Sequence, residues 1–293
     1  MSESRTSRRS FLVELAGVAL GGGALAACAK HASGGVRPSP DRVGIQLYTV
    51  RDLMQQDFEG TLERVAQAGY KEMEFAGYYN RTPEQVRAVL DRLKLVSPSA
   101  HIGAQLLKEN VQREIASAKT IGQSYITIPS YGFPSNAGVD AWKAAAAEFN
   151  RWGAACRDAG LKLAYHNHNR EFAPIDGATS GFDVLVRETD PALVDFELDL
   201  YWATYAGQDP IALFGRYPGR FAMWHVKDMR DPQGAKTMAP VGLGTIDFKS
   251  IFAHASQSGM RHYFVEHDTA AQWPGGAIAS ITESARYLKQ LLA

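Results

Sequence analysis

The chain has 293 residues, with 31 basic side chains balanced by 31 acidic ones, and two cysteines. A balanced charge supplies no field to hold a phosphate backbone, so nucleic acid is excluded as an expected partner. Two cysteines cannot build a disulfide framework, and the length suits one large α/β domain or two small ones.

Residues 1–28 read as an export signal rather than as part of the fold. Ser7-Arg8-Arg9-Ser10-Phe11-Leu12 precedes a modestly apolar, Gly-rich run ending Leu25-Ala26-Ala27-Cys28. A basic start, an apolar middle and small residues at the end are the parts of such a signal. The paired arginines match a twin-arginine address, and the ending resembles a bacterial lipobox in which Cys28 would be acylated. After Glu14 the uncharged run is about 15 residues, short of the ~20 that span a bilayer. The protein is therefore expected in the periplasm or cell envelope, meeting a membrane only through a lipid on Cys28. Residues 29–41, Gly- and Pro-containing, read as a flexible tether.

From residue 42 to 293 strands and helices alternate. A strand is expected over Val43–Val50, and Leu62, Val65 and Ala66 mark a helix closing on Ala68-Gly69. The next strand starts near Tyr70. Thr82-Pro83-Glu84-Gln85 is a capping box with Pro at the first helical position, ahead of Val86, Val89, Leu90 and Leu93. A strand over Val96–Ile102 and a helix closing on Ile121-Gly122 follow, then a strand near Ser124. Trp142, Ala145, Phe149, Trp152 and Cys156 form one apolar helix face, so Cys156 reads as a buried structural thiol. After Ala159-Gly160 a strand from Leu161 runs into six polar residues, His166 to Glu171. Val194–Leu200 is the sixth strand. The seventh and eighth begin near Arg220 and Met260, after Pro218-Gly219 and Ser258-Gly259, and Ala285, Leu288 and Leu292 mark the last helix. Gly recurs after helices because the chain there turns left-handed.

Eight such units predict a single-domain (β/α)8 TIM barrel with right-handed crossovers. A doubly wound sheet is the alternative, but no Gly-rich phosphate fingerprint follows the first strand. Strand parity sharpens this. In VDFELDL, Val194, Phe196, Leu198 and Leu200 oppose Asp195, Glu197 and Asp199; in FAMWHVKD, Ala222, Trp224 and Val226 oppose Met223, His225 and Lys227. One face suits helices, while the other grows ionisable toward each strand's end. Gln46, Tyr48, Glu74, His101, His166, His168, Glu197, Asp199, His225, Lys227, Glu266 and Asp268 are expected at the mouth, and His262 at the opposite end. Several buried carboxylates repel one another unless a cation joins them. Mixed nitrogen and oxygen ligands suit Mn²⁺, Zn²⁺, Co²⁺ or Fe²⁺ better than Ca²⁺.

The motifs GIQLYTVR, MEFAG, SAHIG, AYHNHNREF, FELDLYW, WHVKD, VGLGTIDF and YFVEHD resemble, in order, those of the xylose-isomerase-like TIM-barrel group of sugar-phosphate isomerases and epimerases. The resemblance implies one divalent metal, Mn²⁺ first and Zn²⁺, Co²⁺ or Mg²⁺ as alternatives. By motif position Asp199, His225 and Glu266 are its ligands, and the fourth, a Glu in ketose epimerases, falls on His166. That Glu is also one of their two acid/base groups, so this sequence departs from the two-carboxylate scheme at His166. Leu243 replaces a frequent acidic residue, and His267 stands where Gln is common. The implied reaction is proton abstraction beside a sugar carbonyl. Glu266 is the expected base, His168 or Glu74 the acid, and Lys227 the oxyanion partner. Gln46, Tyr48, His101, Glu171 and Trp202 are the expected substrate contacts.

Three functions follow as expectations. The first is an isomerase or epimerase of an unphosphorylated sugar, since an exported protein meets few sugar phosphates. The second is a lyase or hydrolase eliminating a substituent from a keto-sugar such as a 3-keto-glycoside. The third is a lipid-anchored sugar-binding protein without turnover. The sequence leaves the oligomeric state open.

Overall fold

The computed structural model describes residues 37–231 and 233–293. The expected export signal and Cys28 lie outside the described residues. Among the described residues no helix is long and apolar enough to cross a membrane.

Eight parallel strands close into a barrel: β1 Gly44–Gln46, β2 Glu72–Ala76, β3 Val96–His101, β4 Tyr125–Ile128, β5 Lys162–His166, β6 Val194–Asp199, β7 Met223–Val226 and β8 His262–Val265. Each strand pairs with its successor, and β8 pairs with β1. The outer jacket includes α1 Phe58–Ala68, α2 Pro83–Leu93, α3 Ala104–Ile121, α4 Val139–Asp158, α5 Gly181–Glu188, α6 Pro210–Arg216, α7 Phe248–Ala253 and α8 Gly276–Leu292. This is the (β/α)8 architecture that the alternation predicts.

The local signals act as their chemistry requires. Thr82 Oγ1 accepts from Gln85 N, and Gln85 Oε1 accepts from Thr82 N, closing the capping box of α2. Gly69, Gly122 and Gly259 end their helices at positive φ, where a Cβ is strained. The outward residues of β6, Val194, Phe196 and Leu198, are buried under the helices, and so is Cys156 on α4. Burial pushes the Cys156 thiol up to about 12, as expected of an inert thiol.

Two boundaries differ from expectation. The first strand ends at Gln46, and Leu47–Val50 forms a 3-10 turn, because the Gln46 side chain accepts from Tyr48 N at 3.0 Å and draws the backbone out of the ladder. The end of the expected tether is packed, not loose. Pro40–Arg42 forms a 3-10 turn, and Tyr263 donates to the Ser39 carbonyl at 2.7 Å.

Inside the barrel a small apolar plug of Tyr125, Ala164, Ala222, Met223 and Phe264 stands apart from the jacket core. The Phe264 ring lies 6.3 Å from His262 on one side and 6.3 Å from His225 on the other. It separates two polar ends. At the lower end Glu72 holds Arg42 and His262, at 2.7 and 2.6 Å, and Asp195 holds Lys162 at 2.9 Å and Tyr125 at 3.3 Å. His262 belongs to this end, as its place at the start of the last strand predicts.

Candidate active site

The upper end is built by strand ends in register. His166 of β5 pairs with Glu197 of β6, and Asp199 of β6 pairs with His225 of β7. Alternation within ELD turns Glu197 and Asp199 inward on either side of outward Leu198. Glu74, Glu197, Asp199 and His225 are all wholly buried.

Glu197 Oε2 is a hub. His101 Nε2 lies 2.7 Å from it, His225 Nε2 3.0 Å and His166 Nδ1 3.2 Å. Glu74 Oε2 approaches His225 Nε2 at 2.7 Å and accepts from Gln46 at 2.9 Å. The other nitrogens of the two inner rings face Asp199 Oδ2, His166 Nε2 at 3.8 Å and His225 Nδ1 at 3.9 Å. His225 Nδ1 also lies 2.6 Å from Glu266 Oε2. Lys227 Nζ reaches Glu266 at 2.7 Å, with Asp199 and Asp268 each at 3.1 Å.

The protonation pattern follows. Burial pushes Asp199 up to about 6 against the pull of Lys227. Burial would raise Glu266 too, but Lys227 and His225 outweigh it and hold the carboxyl well below the usual range. Burial opposes charge on His225, yet Glu197 and Glu266 overcome it and raise the ring well above its ordinary value. His166 is pushed well down by burial and by His225. His168 falls to about 4 through burial and Lys227. Glu74 is raised by burial and by the nearby Glu197.

A cavity of about 490 Å³ opens above this cluster. Of the residues selected from the sequence, Tyr48, His101, His166, His168, Lys227 and Glu266 line it. Arg51 and Asp268 join them. Asp268 was visible by parity as an inward residue. Arg51 closes the motif GIQLYTVR but was assigned no role from the sequence; its guanidinium stacks 4.1 Å from the Tyr48 ring and donates to the Asp268 carbonyl.

Other selected residues are placed differently. Gln46 is buried between Glu74 and Tyr48 N, so it braces rather than touches substrate. Glu171 is turned away, its oxygens taking the Tyr165 hydroxyl at 3.0 Å and His168 N at 2.9 Å. Glu74 does not line the cavity; its Oε2 stands 2.7 Å from His225 Nε2, below the floor of the site. His168 does reach it, but as a neutral imidazole, which suits an acceptor rather than the expected donor. Trp202 flanks His168 and Lys227, each 5.8 Å from its ring, without lining the cavity. Lys227 pairs with Asp199, Glu266 and Asp268. His267 is also outside the cavity, bound to Ser280 at 2.8 Å.

The six polar residues from His166, the last of β5, to Glu171 divide by direction. His166 and His168 face the site. Asn167 Oδ1 accepts from Asp199 N at 3.1 Å, locking the end of β6, and Glu171 clamps the turn. After β7, Asp228 accepts from the backbone nitrogens of Met229, Gly242, Gly244 and Ile246, which fixes the VGLG turn near the mouth.

Two donor groups fit a metal ion, each with ligand atoms within 4.8 Å of one another: Asp199, His225 and Glu266; and His101, His166, Glu197 and His225. Three of the four expected ligands therefore share a group, while His166 falls in the other. Asp199 Oδ2 and Glu197 Oε1 are buried without a hydrogen bond. Lys227 comes within 3.1 Å of Asp199 Oδ2 as an ion pair, off the hydrogen-bonding direction. Unsatisfied buried carboxylate oxygens converging with imidazole nitrogens are the donor set of a divalent cation. Ligands of one ion at about 2.0–2.2 Å can stand as far as ~4 Å apart, so the 3.8 and 3.9 Å separations are compatible.

Residues 62–291 match the xylose isomerase-like TIM barrel family, and the chain belongs to it. It is 27% identical over 255 residues to an inosose dehydratase of Lacticaseibacillus casei, covering 74% of this chain and 85% of that protein. An inosose dehydratase of Clostridium perfringens strain 13 is 24% identical, covering 80% and 90%. A sugar phosphate isomerase/epimerase structure from Parabacteroides distasonis ATCC 8503 superposes with a TM-score of 0.71 at 28% identity, covering 86% of this chain and 94% of that one. The IolI protein, solved with a bound zinc atom, shares the fold with a TM-score of 0.67 at 13% identity, covering 86% and 98%.

Proposed function

We propose that this protein is a metal-dependent lyase. It removes a proton from the carbon beside a carbonyl of an unphosphorylated keto-sugar or cyclic keto-polyol, and a hydroxyl leaves from the next carbon. The observation that carries this reading is the convergence of His166 Nε2, Asp199 Oδ2, His225 Nδ1 and Glu266 Oε2 beneath a cavity that Lys227 and His168 also line. Asp199, His225 and Glu266 would hold the cation, with His166 as the next donor. Mn²⁺ and Zn²⁺ suit this mixed set. When bound, the cation supplies Lewis-acid polarisation of the carbonyl.

The chain's own residues do the rest. Glu266 is ionised at neutral pH, which is the state that accepts the proton. Lys227, 2.7 Å from Glu266, places positive charge where the carbonyl oxygen gains electrons. Glu266 then returns its proton to the departing hydroxyl. One C–H and one C–O bond break, a C=C bond forms, and water leaves. One acid/base group suffices for this elimination. Epimerisation needs a second on the opposite face of the carbon. The β5 position that carries it in ketose epimerases is His166 here, with Nδ1 held by Glu197 and Nε2 turned to Asp199. The two inosose dehydratases named above support the same branch.

One observation favours isomerisation or epimerisation as a second reading: His101, from β3 across the barrel, lines the cavity. The test is incubation of metal-loaded protein in D₂O with inosose and a panel of keto-sugars. Deuterium uptake beside the carbonyl together with loss of water is expected. Uptake without water loss moves the assignment to the isomerase branch, and no uptake from any substrate sinks both.

A further inference from the structure

The two donor groups overlap at His225, and the hydrogen bonds around Glu197 decide between them. A carboxylate only accepts, so each ring nitrogen facing Glu197 Oε2 carries a proton. Those nitrogens are His101 Nε2, His225 Nε2 and His166 Nδ1, at 2.7, 3.0 and 3.2 Å. That leaves His166 Nε2 free toward Asp199 Oδ2, whereas His225 Nδ1, 3.9 Å from Asp199 Oδ2, stands 2.6 Å from Glu266 Oε2 and donates to it until a cation among these three groups takes that proton's place. We propose that Glu197 is a positioning residue, which selects the tautomers of His166 and His225 and so places the cation among Asp199, His225 and Glu266. This rests on the metal-dependent reading above. The competing placement, among His101, His166, Glu197 and His225, needs His166 Nδ1 and His225 Nε2 bare and Glu197 as a ligand.

The two rings depend on Glu197 unequally. His225 Nε2 has a second acceptor in Glu74 at 2.7 Å, whereas His166 Nδ1 has Glu197 as its hydrogen-bond partner among the described residues. Loss of Glu197 therefore acts first on His166. A carboxylate behind a ligand histidine fixes the ring and raises its basicity, and its removal typically weakens metal binding ten- to a hundredfold.

Ring-nitrogen NMR on isotope-labelled histidine tests this in the wild-type protein. His166 should be the Nδ1–H tautomer with and without Zn²⁺, and zinc-loaded His225 should be Nε2–H. The opposite tautomer at either ring overturns the proposal, and this holds even where a variant fails to fold. Glu197→Gln should weaken Zn²⁺ or Mn²⁺ binding in a chelator competition about ten- to a hundredfold and mix the His166 tautomers. Glu74→Gln should leave His166 as Nδ1–H. Wild-type affinity with an unchanged His166 ring in Glu197→Gln also overturns it. A wild-type protein that binds no divalent ion would instead sink the metal-dependent reading, and the metal-free His166 ring would still report on Glu197.

Discussion

At the lower end of the barrel, Glu72 meets Arg42 and His262 while Asp195 meets Lys162 and Tyr125, so every carboxylate oxygen has a partner. At the upper end, the Phe264 plug away, the same residue types are packed more deeply and do not close. Glu74 Oε1, Glu197 Oε1 and Asp199 Oδ2 are buried without hydrogen bonds, and Lys227 is shared by three carboxylates. A satisfied buried network rigidifies and specifies a fold, whereas an unsatisfied one costs stability unless a ligand completes it. The lower end holds the strands together; the upper end is where they were left open for chemistry.

Three measurements can break or sharpen this contrast. The largest effect is expected from Glu266→Gln, which should lower substrate deuterium exchange by about a hundred- to ten-thousandfold. Its urea midpoint should move little, because the site was not holding the fold. A large drop in stability with exchange retained would reverse the roles of the two ends. Next is Glu72→Ala, which strips Arg42 and His262 of their shared partner. It should cost about 3 kcal/mol in urea unfolding. Activity per folded molecule should stay within roughly twofold, since the site lies beyond the plug.

The smallest effect is the pH response of Asp199. Its carboxyl sits at about 6 in the metal-free protein, against an ordinary 3.8. Between those values the folded state holds more protons than the unfolded chain, so Asp199 adds to metal-free stability as the pH falls through that window. Metal binding needs the carboxylate, so protonation of Asp199 should cost up to about tenfold in affinity per pH unit below ~6. Titrating metal affinity and metal-free unfolding across the same range checks both signs. An affinity independent of pH between about 5 and 7 would remove Asp199 from the ligand set.

Much of the upper end was legible because strand parity is a local property. VDFELDL and FAMWHVKD each announce which residues face inward, and Asp199, His225, Lys227 and Glu266 do meet. Parity is silent about what an inward side chain will touch. Gln46 and Glu171 had the right residue types for sugar hydroxyls, yet one braces Glu74 and the other clamps the turn before Phe172. Arg51 enters the cavity because Gln46 ends β1 early and starts a helical turn. That outcome depends on a single side-chain hydrogen bond rather than on the apolar pattern.

Alternation, capping boxes and helix-ending glycines are enough to dictate a closed eight-fold barrel with an ionisable mouth, because each acts over a few neighbouring residues. Which groups share a proton was decided only when the sheet closed. Barrel closure brought Glu74, His101, His166, Glu197 and His225, from five different strands, within hydrogen-bonding distance. The protonation and tautomer of each group there depend on charges and burial that no one strand contains.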